Sequence, residues 1–340
     1  MSEGNTEREG RMLRKKWLML FLRITVSSLI IGYTLKLMSD KYGGIDRAFD
    51  HFLSVFSGLI FVWILPAFIL HFAGMGLMSL RWKILLSAQG VNAGYSELYS
   101  FNLMAAFFNN FLPSTIGGDM IKAVESKRLV GDHTRSIMVI MIERFTGLFA
   151  LVVIALTAMV IKKFNSDSIA GTDPVLFAVL ITGMLLLLVL ISHPRISFRL
   201  SRLFRRFLPQ RLAGILERSI SALTVYYNSP RQLFSAVLIS IIFQFNMVLY
   251  YYFLSRSLGM SPDFVDFMAK APLLIFLLMT VPSVNGIGVR TVVFRKLIKF
   301  PLSVALAVEV ADIGLRMVLG VIGGVFFLFH RRERKKEVRE

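Results

Sequence analysis

Two cations sit at matched places in this chain, each just past a helix-breaking motif. Lys122 follows Leu112-Pro113-Ser114-Thr115-Ile116-Gly117-Gly118-Asp119, and Arg290 follows Val281-Pro282-Ser283-Val284-Asn285-Gly286-Ile287-Gly288. Pro removes a backbone donor and Gly permits tight turns, so a helix is expected to break at each motif. A half-helix that restarts after a break presents free N–H groups and the positive end of its dipole, and both attract anions. Two such tips facing one another, with Lys122 and Arg290 about one turn into the returning arms, would form a cationic site near mid-membrane suited to a phosphate headgroup. The alternative is that the breaks are packing turns with snorkelling cations.

Further charges lie in the apolar stretches that follow. Glu143 and Arg144 open one of them; Glu309, Asp312 and Arg316 lie in the other. A charge at the centre of a membrane helix costs roughly 2.5–3.5 kcal/mol on insertion scales, so such residues face a polar cavity or pair. Glu309 and Asp312 are spaced i,i+3 and Asp312 and Arg316 i,i+4, which puts all three on one helix face. The functional reading gives Arg144 and Arg316 to an anionic substrate, with Asp119, Glu143, Glu309 and Asp312 as coupling or counter-charge groups. A purely structural ion-pair cluster is the competing reading. Asn109, Asn110 and Asn285 are placed to add neutral hydrogen bonds near the tips, or to cap the breaks.

These residues need a membrane to be positioned in. Of 340 residues, 55% are hydrophobic, and the mean hydropathy is +0.66. That much apolar surface cannot be hidden in a soluble domain. Backbone polar groups in lipid must bond internally, so apolar runs near 20 residues read as helices, and the fold class is all-α, a polytopic integral membrane protein. The net charge of +18 would suit nucleic acid, but the Lys and Arg fall between apolar spans, as in loops facing anionic headgroups, so no nucleic-acid partner is expected. With no Cys and five scattered His, no metal site, cofactor or catalytic residue is expected.

Six segments read as full spans, at about 17–38, 57–80, 136–161, 174–192, 232–254 and 303–329, and two more, 97–112 and 263–281, run into the breaks. Loop charge favours re-entrant hairpins for these two over an alternative of eight full spans. With Arg8, Arg11, Arg14, Lys15 and Lys16 in the cytoplasm, eight spans would put the Arg-rich 193–231 loop outside, against the positive-inside rule. Two hairpins place it inside, at the cost of leaving Arg290, Arg295, Lys296 and Lys299 on the outer side or in the membrane. The expected organisation is a basic cytoplasmic N-terminus (1–16), a membrane domain (17–329) and a basic cytoplasmic tail (330–340). Within the domain, repeat 1 (about 17–161) and repeat 2 (about 174–329) are inverted, and a basic amphipathic connector (193–231) joins them. The repeats are matched on Pro113-Ser114 with Pro282-Ser283, on Lys122 with Arg290, and on Glu143 with Glu309, which lie 30 and 27 residues after their Pro. Arg81-Trp82 reads as an interfacial anchor after the second span.

The run Asn109 to Asp119, the later Glu143-Arg144 and the run Pro282 to Gly288 resemble the lysylphosphatidylglycerol synthase transmembrane family, over roughly 17–330. The resemblance implies a flippase-like domain that moves a lipid between leaflets of a bacterial or archaeal cell membrane, without enzymatic activity of its own. Two-domain members also carry a soluble aminoacyl transferase. This chain ends eleven residues after Phe329, so aminoacyl transfer is not carried over. An anionic phospholipid and a polyprenyl-phosphate carrier both fit as cargo. The competing functions are an intramembrane lipid transferase, for which Asp263 and Asp266 are the nearest approach to a metal-binding pair, and a non-catalytic scaffold for a lipid-modifying partner. Membrane lipids are the expected partners, with a homo-oligomer or a lipid-modifying enzyme as further candidates.

Overall fold

In the computed structural model the described residues are 42–111, 116–164, 228–280 and 286–337, with isolated positions elsewhere. Most of the expected spans at 17–38 and 174–192, almost all of the connector 193–231, and Pro113, Pro282 and Asn285 lie outside the described residues. Every element among the described residues is helical: α1 Ile45–Ser57, α2 Phe61–Ala88, α3 Tyr95–Phe111, α4 Ile116–Val130, α5 His133–Phe164, α6 Pro230–Ser257, α7 Phe264–Thr280, α8 Val289–Lys296 and α9 Leu302–Glu337. Four of them, α2, α5, α6 and α9, are long and apolar enough to cross a membrane. Exposed Phe61, Val62, Leu65, Phe234, Leu238 and Val321 are what lipid-facing surfaces require.

The element boundaries carry one correction with consequences. The second apolar helix does not end near residue 80 but runs 28 residues to Ala88. Arg81 and Trp82 are therefore not interfacial anchors: both are buried, Trp82 completely, and the Trp82 indole N–H donates to the Ser126 hydroxyl at 3.2 Å. Hydropathy falls at a buried Arg just as it does at a membrane surface, so a hydropathy boundary misplaces the end of a helix that carries one.

The helices break where the two motifs stand. α3 stops at Phe111 and α4 starts at Ile116; α7 stops at Thr280 and α8 starts at Val289. The arms of each pair fold back on one another. Glu97, in the first turn of α3, accepts from Arg128 near the end of α4 at 2.7 Å. Phe267 at the start of α7 lies 6.4 Å, ring to ring, from Phe294 in α8. In the second break Gly286 and Gly288 hold φ of +76° and +82°, and a Cβ on Gly286 would sit 2.7 Å from Leu278 Cδ2. Only glycine fits that turn.

The centre of the molecule is the antiparallel pair α2 and α6. Ile60 N–H donates to Ser257 O at 2.8 Å, Asn246 Nδ2 to Leu70 O at 2.9 Å, and Arg81 to Ser240 at 3.1 Å, each from one helix to the other. Gly74 admits the Asn246 amide, which would lie 3.1 Å from a Cβ there. α5 and α7 pack on one side of this pair around Leu151, Leu254, Phe267 and Leu274. On another side α3 runs antiparallel to α9, with Phe108 edge-on to Phe327 at 5.2 Å and the backbone of Leu103 against Gly323.

The α3–α9 contact is close enough that a Cβ at Gly323 would overlap the Leu103 carbonyl, which is backbone and cannot swing away. Gly323→Val is expected to cost about 3 kcal/mol of stability through forced helix separation. Gly314→Ala, where no atom lies within 4 Å, is expected to be neutral or slightly stabilising. Thermal unfolding in detergent, compared between the two variants, checks this.

Candidate functional site

Two buried charge clusters are strung along the α2–α6 pair. In the first, the Glu143 carboxylate on α5 accepts from Arg81 on α2 at 2.8 Å and from Lys122 on α4 at 2.9 Å. Lys122 Nζ also lies 5.4 Å from the Trp82 ring centroid, and Arg81 lies 5.3 Å from that of Phe243. In the second, the Asp312 carboxylate on α9 pairs with Arg290 on α8 at 2.8 Å and with Arg316 at 2.9 Å. The Tyr250 hydroxyl on α6 donates to Asp312 at 2.8 Å. The neighbouring Tyr251 hydroxyl accepts from Arg290 at 3.3 Å and from Arg316 at 3.4 Å. His71 on α2 stacks on Tyr250 at 5.0 Å, with its Nε2 buried. The low-dielectric interior screens these charges only weakly, and each carboxylate is held by two cations.

One offset relates most of the cluster residues; it carries Lys122 to Thr291, one residue past Arg290. Adding 169 carries Pro113 to Pro282, Arg81 to Tyr250, Glu143 to Asp312, His71 to Ser240 and Gly147 to Arg316. Contacts follow the residues: Arg81 bonds Glu143 as Tyr250 bonds Asp312, and Arg81 meets Ser240 as Tyr250 meets His71. The second exchange swaps the two helices, which is what a two-fold relation between antiparallel α2 and α6 requires. This corrects the matching of Glu143 with Glu309. The equivalent of Glu143 is Asp312, 30 residues after its Pro as Glu143 is after Pro113.

Glu309 has a different place. Its carboxylate accepts from the Gly288 N–H at 2.5 Å, the Thr291 N–H at 2.9 Å and the Thr291 hydroxyl at 2.6 Å. It caps the α8 N-terminus, satisfying donors that the sequence had offered to a substrate anion. At the second break, then, the protein's own carboxylate holds the anion position.

Lys122 and Arg290 do not converge on one site, as facing tips would require. On α2, Arg81, which holds Glu143, and His71, which stacks on the Tyr250 that holds Asp312, are ten residues apart, about 15 Å along a helix. Convergence happens at the second cluster by another route. Asn110, in the last turn of α3, donates to the Arg316 carbonyl at 2.6 Å, so the end of the first hairpin arrives at the same α9 turn that Arg290 reaches from the second. Asn109 is half-buried beside it. Gly117, Gly118 and Asp119 lie in the opening turn of α4, and the Asp119 side chain is outside the described residues. Arg144 is exposed, on a different face from the buried Glu143, because adjacent helical residues point about 100° apart.

Sequence reasoning missed Arg81, Tyr250, Tyr251, His71 and Ser240. The 169-residue offset was available in the sequence and would have paired Arg81 with Tyr250. Among the described residues no group of three or more His, Asp or Glu is placed to hold a metal ion.

Long apolar helices around an antiparallel core, broken hairpins and buried ion clusters define a polytopic helical membrane protein. The chain belongs to the family described as "Lysylphosphatidylglycerol synthase TM region", whose profile matches residues 20–324. It is 22% identical over 335 residues to UPF0104 membrane protein PH1989 of Pyrococcus horikoshii, covering 89% of this chain and 96% of that one. It is also 30% identical over 102 residues to UPF0104 membrane protein MJ1595 of Methanocaldococcus jannaschii, 29% of each. No solved structure matches the chain.

The repeats deliver their second cation differently. Arg81 on α2 fills the space beside Gly147, whose Cβ would lie 3.6 Å from its guanidinium; in the other repeat that glycine's place is taken by Arg316, and α6 supplies Tyr250 instead. Arg81→Tyr alone is expected to cost about 3 kcal/mol by leaving Glu143 with one cation. Arg81→Tyr with Gly147→Arg rebuilds the second repeat's arrangement and is expected to recover roughly half of that or more. Unfolding midpoints of wild type, both single variants and the pair, taken as a double-mutant cycle, give the coupling.

Proposed function

We propose that this protein moves an anionic lipid, a phospholipid or a polyprenyl phosphate, between the leaflets of a prokaryotic cell membrane, without chemical change. The observation that carries this is the Asp312 cluster. Two arginines share one buried carboxylate at the turn where both broken hairpins arrive, through Asn110 and Arg290. A phosphate oxygen offers the same charge and acceptor geometry as Asp312 or Glu309, so a headgroup can compete for these donors in steps, each exchange replacing one ion pair by another. Family membership supports a lipid-related role. The twofold relation between clusters supports an inverted repeat, an architecture suited to alternating exposure of one site to two sides.

In this reading the membrane domain spans 17–329, with six full spans, two re-entrant hairpins and both termini in the cytoplasm. A lipid transferase has less support. Asp266 is engaged by Lys162 and Lys270, and Asp263 accepts from the Asp266 N–H at 2.7 Å as a helix cap, so the closest thing to a metal-binding pair is otherwise occupied.

Fluorescent phosphatidylglycerol in proteoliposomes, with outer-leaflet label quenched, tests the function. Wild type is expected to exchange the label, and Arg290→Ala and Lys122→Ala to abolish exchange in protein that still elutes as a folded species. Arg290→Lys, keeping charge but losing the planar fork, is expected to fall between. Unchanged exchange in both alanine variants would remove the proposal.

The absence of Cys makes single-cysteine reporters clean for topology. Ser87→Cys is expected to react with an impermeant maleimide only from the cytoplasmic side, and Ser261→Cys only from outside. Eight full spans would bring Ser261 to the cytoplasmic side.

A further inference from the structure

A third cluster lies apart from the two on the central pair. Lys162, near the end of α5, and Lys270, on α7, both donate to Asp266 in the first turn of α7, at 2.5 and 2.6 Å. The lysine side chains are only 10% and 7% exposed, while Asp266 is 31% exposed. Lysines at a membrane surface ordinarily extend toward water. These two fold inward onto a single carboxylate, leaving one excess positive charge among the three groups. A structural ion pair needs one lysine; the second has no carboxylate of its own in the cluster. Each ammonium carries three donors, and Asp266 takes one from each. The exposed Asp263 is turned to another task, the cap on the Asp266 N–H.

The level of the cluster is fixed by its surroundings. Lys162 closes the 28-residue apolar segment Arg135–Lys162, about 42 Å long, which exceeds a hydrocarbon core of about 30 Å and puts its ends among headgroups. At the same end Trp63 stacks on Phe253 at 5.8 Å, Arg256 lies 4.7 Å over Trp63, and Tyr252 meets Phe264 at 5.1 Å. Aromatic and cationic side chains concentrated at one level mark a membrane interface.

We propose that Lys162 and Lys270 form a clamp for a phosphate group at this membrane surface, with Asp266 as the internal anion that the phosphate displaces. The phosphate belongs either to a lipid headgroup or to free phosphate in the adjoining water. The clamp does not depend on translocation: a lipid can dock here in a protein that moves nothing.

Full-length protein in nanodiscs of a phosphate-free host lipid, a diglycosyl diacylglycerol, with dilute spin-labelled phosphatidylglycerol tests it, through the motionally restricted fraction of the label. Wild type is expected to restrict the label, and Lys162→Gln with Lys270→Gln to weaken this about tenfold, the scale of losing a charge-assisted contact. Asp266→Asn keeps both lysines, removes the competitor and is expected to restrict more label, which decides the matter even if the double variant does not fold. Release of the label by millimolar inorganic phosphate assigns the clamp to the free ion as well; no release assigns it to the lipid. Restriction unchanged in the folded double variant, or reduced in Asp266→Asn, would overturn the clamp. Leaflet exchange measured on the same variants separates this from the proposed function, since the clamp can fail while exchange continues.

Discussion

A carboxylate inside a membrane protein has to be held by cations, and in this chain that requirement organises everything else. Glu143 and Asp312 are each buried with two basic groups. In each case one of the cations comes from the returning arm of a broken hairpin. Without the carboxylate the arm would bring a bare charge into hydrocarbon; without the arm the long helix would carry one. The hairpin and the helix that follows it are thus tied by an interaction that neither can lose alone. The Pro and Gly that break the helix are needed so that Lys122 or Arg290 can arrive at the right depth.

The arrangement is doubled because α2 and α6 cross as an antiparallel pair, and each presents one polar residue to each cluster. Arg81 and Ser240 serve the first, His71 and Tyr250 the second. Two helices cannot exchange partners this way unless they run in opposite directions. The buried small and polar groups along the pair, Gly74 against Asn246 and Ser240 against Arg81, let the backbones come close where lipid gives no hydrophobic push between helices.

Much of this was legible in the sequence. Hydropathy alone located α2, α5, α6 and α9, because nothing else explains apolar runs of that length. The two breaks were legible because Pro and Gly act locally. Glu309, Asp312 and Arg316 were correctly placed on one face because helical spacing is fixed. What was not legible was which partner each charge would take. Glu309 looked like the twin of Glu143 by type, yet position made it a helix cap and made Asp312 the twin. Arg81 looked interfacial because a buried Arg and a surface Arg lower hydropathy equally. Tyr250 and His71 gave no signal as charges do, and only the constant offset between halves, applied to residues of unlike chemistry, connects Tyr250 to Arg81. Pairing is a long-range property, and spacing along one helix does not contain it.

The two clusters, though related by symmetry, are not equally open. Arg81 and Glu143 are each 6% exposed in their side chains, and Arg81 is hemmed by Phe243 and Ser240. Arg316 is 26% exposed, although its Asp312 partner is fully buried. The difference follows from the exchange of positions. In the first repeat the second cation reaches in from α2 and is covered by the α6 helix packed on it; in the second it stands on α9, beside the end of the first hairpin, and reaches the Tyr251 hydroxyl on α6. A cluster that can admit a ligand must have a cation with one side uncovered, and one that only holds helices together need not. Moving the arginine from the α2 position to the Gly147 position is therefore more than a silent rearrangement of charge. It leaves one of the two related ion clusters with a partly exposed cation, beside the end of the first hairpin.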